Sequence, residues 1–370
     1  MFAQLRSPRR AFLLPLIAVS FSLASCQSQT AQAPTGTESA SPAASSAASG
    51  GGDGANVSLT GAGASFPAPL YQRWFADYKQ QHPNVQVSYQ SVGSGAGVEQ
   101  FTQGTVDFGA SDVAMKDEEI AKVGKGVVLL PMTAGSVVIA YNVPNAQTGL
   151  KLPRQVYSDI FLGKIKQWND PKIAQANQGV NLPNLPITVV HRSDGSGTTS
   201  VFTSHLSAIS PEWKTKVGSG KTVNWPVGVG AKGNEGVTAQ LLQSQGAIGY
   251  TEYGYAKQQN MAMASLQNKA GNYVEPTPET GAKTLASVQL PANLRAFITD
   301  PEGADSYPIV TYTWLMAYKK YDDPNKAKAI KEVIQWGLTD GQKLSNELGY
   351  VPLPQPVVDK VKAAANQIQS

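Results

Sequence analysis

The segment from Arg192 to Thr198 combines the residue types that bind an oxyanion. An apolar, strand-like run precedes it and a helix-like pattern follows, so we expect a glycine-containing turn that opens a helix. Backbone N–H groups at such a helix start point toward one spot, and the helix dipole adds positive potential there. Arg192 adds a guanidinium, and Ser196 and Thr198 add hydroxyls. The segment therefore predicts an oxyanion receptor.

Three earlier turns have the same character. Residues 61–67, 91–97 and 106–112 are rich in glycine and small polar side chains, and each adjoins a strand-like run. In an open α/β sheet, ligands bind beyond the carboxyl ends of the strands, where these turns would lie. A single glycine turn with serine at a helix start is more often only an N-cap. Only the four turns together therefore indicate a binding site.

A catalytic interpretation of the same segment is open but less favoured. Ser196 lies close in sequence to His191, as a nucleophile and its base would. However, Gly195-Ser196-Gly197 lacks both spacer residues of the Gly-x-Ser-x-Gly nucleophile elbow. The three histidines, none with metal-ligand spacing to carboxylates, are His82, His191 and His205. We therefore predict no catalytic residues, no metal and no cofactor.

Four segments in this order resemble the phosphate-binding proteins of high-affinity phosphate ABC transporters. The resemblance extends from about Val57 to the C-terminus, and its motifs are Thr60–Pro69, Val106–Asp112, Arg192–Thr198 and Gly246–Tyr253. It implies an α/β, two-lobed periplasmic-binding-protein-like fold of type II, with crossover strands between the lobes. One desolvated phosphate is then held in the cleft between them.

The resemblance also implies a set of binding residues. Those expected to contact phosphate are Ser65, Phe66, Ser94 and Asp112 from one lobe and Arg192, Ser196, Gly197 and Thr198 from the other. The family often has threonine in place of Ser65, which keeps the hydroxyl, and commonly alanine in place of Ser193. An ionised Asp112 can only accept a hydrogen bond, so it favours a ligand that still carries a proton. Asp194 either pairs with Arg192 or only stabilises the turn.

The N-terminus is typical of an exported lipoprotein. Arg6, Arg9 and Arg10 precede an apolar stretch from Ala11 to Leu23 that is too short to span a bilayer. Leu23-Ala24-Ser25-Cys26 resembles a lipobox, which predicts a signal peptide over residues 1–25 and acylation of Cys26, the only cysteine. The arginine pair fits either a generic basic region or a twin-arginine signal. Residues 26–56, poor in large apolar side chains, predict the lipidated cysteine and a disordered tether.

The remaining residues are long enough for two domains. We expect lobe I over 57–132 and 308–370, lobe II over 133–307, and a hinge around 132–138 and 307–312.

Without residues 1–25, which hold three arginines and no acid, the chain has 27 basic and 26 acidic residues. This near-neutral balance argues against nucleic acid as a partner. Two apolar runs, 127–130 and 136–141, predict strands separated by a kink.

These features predict where the protein acts and with what. The resemblance implies a monomer on the periplasmic or cell-surface side of the plasma membrane, held there by a lipid anchor alone. Its partners are then phosphate and the transmembrane permease subunits of an ABC transporter with a cytoplasmic ATPase. A phosphate sensor or buffer that does not deliver to a permease would have the same site. A serine-dependent phosphohydrolase is the less favoured alternative.

Overall fold

The computed structural model describes residues 56–370, which form an α/β fold of two lobes. The strands are β1 (Val57–Gly63), β2 (Val85–Ser91), β3 (Phe108–Ser111), β4 (Val127–Tyr141), β5 (Lys151–Leu152), β6 (Thr188–Arg192), β7 (Val229–Ala231), β8 (Ala247–Glu252), β9 (Ala262–Met263), β10 (Ser265–Gln267), β11 (Tyr273–Val274) and β12 (Val310–Tyr318). The helices are α1 (Ala68–Gln81), α2 (Ser94–Gln103), α3 (Asp117–Ile120), α4 (Arg154–Phe161), α5 (Pro171–Ala176), α6 (Gly197–Ile209), α7 (Pro211–Lys216), α8 (Gly233–Gln243), α9 (Tyr253–Gln258), α10 (Pro278–Ala286), α11 (Pro324–Gly337), α12 (Ser345–Leu348) and α13 (Gln355–Ala365), with a 3₁₀ turn at Gly341–Leu344.

The main sheet has the strand order β2-β1-β3-β12-β4-β8-β6-β7, and β9 also pairs with β4. β1 pairs in parallel with β2 and β3 at one end, and β6 pairs in parallel with β7 and β8 at the other. β12 and β4 lie between these two parallel groups and pair in an antiparallel manner. Each parallel group contains strands that run directly into polar turns. The two groups therefore place their turns in separate lobes, and β4 and β12 connect the lobes.

β4 is one continuous strand of 15 residues, so the prediction of two strands separated by a kink is wrong. β4 pairs with β12 as far as Ser136 and with β8 from Val137 onward. Proline at position 131 has no N–H to donate to the ladder. The sheet accommodates it by a register shift in which β4 carries one extra residue, Met132: Thr313 pairs with Thr133, and the next residue, Trp314, pairs with Pro131. Every residue of the strand is buried, which explains its continuous apolar character.

Close packing at a glycine fixes the position of α2 against β1. A Cβ atom on Gly97 would lie 2.4 Å from the Cα atom of Gly63 and 3.0 Å from the carbonyl oxygen of Ala62. Since real Cβ atoms do not approach backbone this closely, only glycine allows the helix to lie here. The start of α2 consequently lies directly beside the turn that follows β1.

The predicted signal peptide, Cys26 and nearly all of the predicted tether lie outside the described residues. Among residues 56–370, the structure contains no helix with the length and apolar character needed to cross a membrane. The lobe boundaries and the hinge remain predictions.

Candidate anion-binding site

The turns of lobe I bring four predicted residues to one edge of the sheet. Ser65 and Phe66 lie between β1 and α1, Ser94 is the first residue of α2, and Asp112 follows β3. Their side chains are buried, with residue exposures of 0 or 1 %. The backbone N–H groups of Ser65 and Phe66 have no protein acceptor within residues 56–370. These turns therefore supply unused hydrogen-bond donors beside a buried carboxylate.

Lobe II contributes the other four predicted residues from one strand-to-helix turn. Arg192 ends β6, Ser196 is the N-cap of α6, and Gly197 and Thr198 lie in the first turn of that helix. Helix geometry leaves first-turn N–H groups without an intrahelical acceptor. The Ser196 hydroxyl accepts the N–H of Thr199, while the N–H groups of Gly197 and Thr198 remain at the positive end of the helix dipole.

The structure brings the residues of both lobes together around Asp112. The hydroxyl oxygens of Ser94 and Thr198, one from each lobe, both lie 3.5 Å from Oδ2 of Asp112. A Cβ atom on Gly197 would lie 2.5 Å from the Ser94 hydroxyl oxygen and 2.7 Å from Cβ of Asp112. Glycine at position 197 therefore permits the close approach of the two turns. Of the eight predicted residues, the structure brings five into one buried cluster of mutual contacts: Ser94, Asp112, Arg192, Gly197 and Thr198.

Arg192 provides the cluster with positive charge in a fixed orientation. Its Nε and Nη2 atoms donate to the two carboxylate oxygens of Asp194 over 2.7 and 2.6 Å, and its Nη1 lies 3.5 Å from the Thr198 hydroxyl oxygen. This bidentate pair resolves the alternative roles of Asp194 in favour of pairing. Burial, the largest single effect, lowers the pKa of the Arg192 guanidinium, but the hydrogen bonds to Asp194 together with the negative charges of Asp194 and Asp112 raise it above its ordinary value.

Asp112 is held by both lobe turns and by the crossover strand β12. The Thr313 hydroxyl donates to its Oδ1, and the Thr311 hydroxyl donates to its backbone carbonyl over 3.1 Å. Burial raises the pKa of Asp112 from 3.8 to about 6, while the Thr313 hydrogen bond and the positive charge of Arg192 oppose this rise. The carboxylate is therefore ionised at neutral pH, with Oδ2 facing the hydroxyls of Ser94 and Thr198.

The burial of Asp112 predicts a stability cost in phosphate-free buffer. A pKa raised from 3.8 to about 6 means that the folded state holds this proton more tightly than the unfolded chain. The protonated Asp112 side chain thus contributes stability that is lost as pH rises from about 4 to about 6. Above pH 6 the ionised side chain lowers the free energy of unfolding by about 3 kcal/mol relative to the protonated one. We expect Asp112→Asn to raise the free energy of unfolding above pH 6 by up to this amount and to leave it nearly unchanged below pH 4.

Thermal or urea unfolding of both proteins across this pH range measures the difference. The other titrating groups are common to the two proteins, so only the difference between them reports on Asp112. An equal pH dependence in wild type and variant contradicts the prediction.

Among residues 56–370, no group that could act as a general base is hydrogen-bonded to the Ser196 hydroxyl. That hydroxyl caps α6, and the backbone N–H of Ser196 donates to the carbonyl oxygen of Lys221 over 2.9 Å. The imidazole of His191 stacks on Trp225 at a centroid distance of 4.8 Å, and its Nδ1 lies 3.0 Å from the Arg192 carbonyl oxygen. Within residues 56–370 no group of three histidine, cysteine, aspartate or glutamate side chains could hold a metal ion.

Sequence reasoning missed two residues that organise the cluster. Thr313 lies in the apolar run of β12, where a hydroxyl residue gives no local sign of a polar contact. Asn234, near the start of α8, donates its side-chain amide to the Ser65 hydroxyl oxygen over 2.9 Å. A signal for Asn234 existed, because residues 228–236 are another glycine-rich segment, which includes strand β7 and the turn into α8. That turn resembles the four that were identified.

Comparisons with known proteins identify relatives of this chain along most of its length. The family model of the PBP superfamily domain matches residues 29–340. The phosphate-binding protein PstS of Pasteurella multocida is 46% identical over 309 residues, covering 83% of this chain and 89% of that protein. The phosphate-binding protein PstS of Methanocaldococcus jannaschii is 38% identical over 380 residues, covering 96% and 94%.

Solved structures share the fold at lower identity. The phosphate-binding protein from Stenotrophomonas maltophilia has a TM-score of 0.66 at 20% identity, and the match covers 83% of this chain and 93% of that one. A high-affinity periplasmic phosphate-binding protein solved with phosphate, PfluDING, has a TM-score of 0.67 at 22% identity and the same coverage. These likenesses show the shared fold, and the family model and the PstS relatives show that the chain belongs to the PstS family of phosphate-binding proteins within the PBP superfamily.

Proposed function

We propose that this protein binds inorganic phosphate between its two lobes and delivers it to an ABC permease for import. The observation that carries the proposal is the carboxylate of Asp112, buried among hydrogen-bond donors from both lobes. An anion site that contains a carboxylate suits a ligand with both oxygens to accept and a proton to give. Phosphate near neutral pH, as a mixture of H₂PO₄⁻ and HPO₄²⁻, is such a ligand.

The donors of the cluster match the oxygens of phosphate. The proposed contacts are the N–H groups of Ser65, Phe66, Gly197 and Thr198, the hydroxyls of Ser65, Ser94, Ser196 and Thr198, and the guanidinium of Arg192. The Ser196 N–H is not among them, since Lys221 accepts it. Asp194 holds the guanidinium in place and leaves Nη1 directed toward the cluster. The positive charge and the helix dipole of α6 then offset the negative charge of the ligand.

Asp112 supplies the selectivity of the proposed site. Its ionised Oδ2 accepts the proton of phosphate, whereas sulfate, fully deprotonated at neutral pH, would place a lone pair against it. An unpaired charged group in a buried pocket costs several kcal/mol, and sites of this kind reject an analogue by roughly 10⁴-fold. Arsenate keeps its proton and is therefore expected to bind far more tightly than sulfate.

Capture is proposed to occur by closure of the lobes on the ligand. The contacts between lobes support this, because Gly95 N–H donates to the Gly195 carbonyl oxygen over 2.7 Å. In addition, the Tyr255 hydroxyl donates to the Ser65 carbonyl oxygen over 2.7 Å. A ligand enclosed at this depth exchanges with solvent only when the lobes separate.

A bulky residue at position 95 is expected to hold the lobes apart. A Cβ atom on Gly95 would already lie 3.1 Å from the Cα atom of Gly195, and the methyl groups of valine would require more space. We expect Gly95→Val to weaken phosphate binding by about 10- to 100-fold, because closure then includes the cost of overpacking.

Calorimetric titration measures this loss, and Gly124→Val is the matched control. Gly124 has no atom within 4 Å of its Cβ position, so the control should bind phosphate as the wild type does. Equal affinity in Gly95→Val and wild type would show that this contact does not limit closure.

The protein is proposed to be a binding protein without catalytic activity. The relatives named above are binding proteins, and the neighbours of the Ser196 hydroxyl include no base. Incubation with a generic phosphomonoester is expected to give no turnover. Turnover abolished by Ser196→Ala would instead establish the phosphohydrolase alternative.

Export, lipidation at Cys26 and a lipid anchor on the outer side of the plasma membrane complete the proposal. The protein is proposed to act as a monomer that docks on the permease subunits, whose cytoplasmic ATPase powers import. A sensor or buffer would show the same binding in solution. Deletion of the gene followed by measurement of phosphate uptake separates the two, since only a delivery protein is required for import.

Calorimetry with phosphate, arsenate and sulfate tests the binding function itself. We expect tight binding of phosphate, weaker but measurable binding of arsenate, and sulfate binding about 10⁴-fold weaker than phosphate. The absence of heat with phosphate, or equal affinities for phosphate and sulfate, would overturn the assignment.

A further inference from the structure

Asn234 connects the two lobes inside the polar cluster. It is the second residue of α8 in lobe II, and its side chain is completely buried. Its backbone N–H and its side-chain Nδ2 both donate to the Ser65 hydroxyl oxygen of lobe I, over 3.0 and 2.9 Å. Nδ2 also lies 3.4 Å from the hydroxyl oxygen of Thr198. One side chain therefore contacts two of the proposed phosphate-binding hydroxyls.

The orientation of the Asn234 amide is fixed by its surroundings. Its Oδ1 accepts the backbone N–H of Glu252 over 3.2 Å and the Thr251 hydroxyl over 3.2 Å. A backbone N–H can only donate, so the atom facing it must be the amide oxygen. Nδ2 consequently faces Ser65 and Thr198, and the amide acts toward both of them as a donor.

Counting donors and acceptors then fixes the direction of the Ser65 hydroxyl proton. A serine hydroxyl has two lone pairs and one proton. Both lone pairs of Ser65 are engaged by N–H groups of Asn234, which leaves the O–H as its free hydrogen-bonding group. The Thr198 hydroxyl oxygen similarly faces Nδ2 of Asn234 and Nη1 of Arg192. The Thr198 hydroxyl, however, already donates to Oδ2 of Asp112 over 3.5 Å, so Ser65 is the one of the two whose proton is left for a ligand.

We propose that Asn234 is a positioning residue that directs the Ser65 hydroxyl to donate to the ligand, and that it does so only when the lobes are closed. This inference depends on the proposed binding of phosphate. In the open protein, lobe II carries Asn234 away from Ser65, whose hydroxyl is then free to donate or accept. Closure therefore changes the hydrogen-bonding character of the site from mixed to donating, which suits the oxygens of phosphate.

A double-mutant cycle between Asn234 and Ser65, measured by calorimetry with inorganic phosphate, tests the inference. Asn234→Leu removes the amide, and we expect it to weaken phosphate binding by about 10-fold through the loss of the oriented Ser65 hydroxyl. In the Ser65→Ala background the same substitution should cost at least about fivefold less, because the hydroxyl that it orients is already absent. Any general loosening of the fold is common to both backgrounds and cancels.

Asn142→Leu is the matched control. The amide of Asn142 donates to the carbonyl oxygens of Leu241 and Leu242 at the other end of α8, over 3.0 Å in each case. Its loss also disturbs α8 but touches no hydroxyl of the cluster. The effect of Asn142→Leu on phosphate affinity is therefore expected to be the same in the wild-type and Ser65→Ala backgrounds.

Asn234→Asp provides a second variant that keeps the shape and retains an oxygen for the Glu252 N–H. Its second oxygen accepts the Ser65 hydroxyl proton and turns it away from phosphate, so we expect a larger loss than for leucine. Repulsion between the new charge and phosphate does not depend on Ser65, whereas capture of the hydroxyl does. The loss should thus again be smaller in the Ser65→Ala background.

Stopped-flow kinetics provide a further readout. Because the contact with Ser65 forms after closure, the loss in Asn234→Leu should lie mainly in the dissociation rate of phosphate. Additive effects in the Asn234 and Ser65 cycle, with normal phosphate binding by the wild type, overturn this inference alone. The absence of phosphate binding by the wild type overturns the proposed function and this inference with it.

Discussion

Arg192→Ala is expected to weaken phosphate binding by about 10³-fold. The substitution removes the buried positive charge and one hydrogen-bond donor, and it leaves the Asp194 carboxylate without its bidentate partner. Truncating one member of a buried, hydrogen-bonded charge pair costs several kcal/mol, which corresponds to a loss of this size. Titration calorimetry measures the phosphate affinity of the variant. Where the heat is too small, competition for phosphate between the variant and the wild-type protein measures it instead.

Two further variants sharpen the interpretation of that loss. Arg192→Lys keeps the charge but not the planar fork, so it should fall between wild type and alanine. Arg73→Ala removes a guanidinium that pairs with Asp77 at the protein surface, and it should bind phosphate as the wild type does. Near-normal binding by Arg192→Ala would show that backbone N–H groups and hydroxyls suffice, and that the guanidinium is not required.

Asp112→Asn is expected to change which anion binds more than how tightly phosphate binds. The asparagine amide can donate to a sulfate oxygen, so the lone-pair conflict with sulfate disappears. We expect the ratio of phosphate to sulfate affinity to fall from roughly 10⁴ to within about 100. Competition calorimetry with both anions at neutral pH measures this ratio.

The pH dependence of the ratio of phosphate to sulfate affinity shows whether the charge of Asp112 or only the shape of its side chain causes the selectivity. In the wild type, Asp112 becomes protonated as pH falls through about 6, and it can then donate to sulfate. The wild-type ratio should therefore decrease below this pH. The ratio in Asp112→Asn should change little, since its amide does not titrate. A variant that still rejects sulfate strongly would place the selectivity elsewhere in the site.

The sequence predicted the polar turns because each carries its own local signal. Glycine and small polar residues at the end of a strand-like run identify such turns without any knowledge of tertiary structure. The resemblance to a known family then connected the four turns and identified Asp112 and Arg192 as a set. The structure adds the bidentate pair of Arg192 with Asp194 and the contact of Gly197 with Ser94.

The residues that the sequence did not reveal act across long distances along the chain. Asn234 reaches Ser65, 169 positions away, and Thr313 reaches Asp112, 201 positions away. Neither contact follows from local periodicity, because each depends on how strands from separate parts of the chain are ordered in the sheet. The kink expected in β4 was wrong for a related reason. The effect of Pro131 depends on the pairing with β12, in which the neighbouring residue Met132 is left without a partner and β4 continues as one strand.

The continuity of β4 has a mechanical consequence. β4 is a single extended strand that is hydrogen-bonded first to β12 and then to β8. Rotation of one lobe would therefore twist hydrogen-bonded strands rather than bend a flexible loop. Twisted strands resist deformation elastically, and the resistance grows with the angle. In the proposed closure, this resistance would limit the angle through which the lobes rotate and would favour one separation between them. Release of the proposed ligand would then require work to deform the paired strands in addition to breaking the contacts with the ligand.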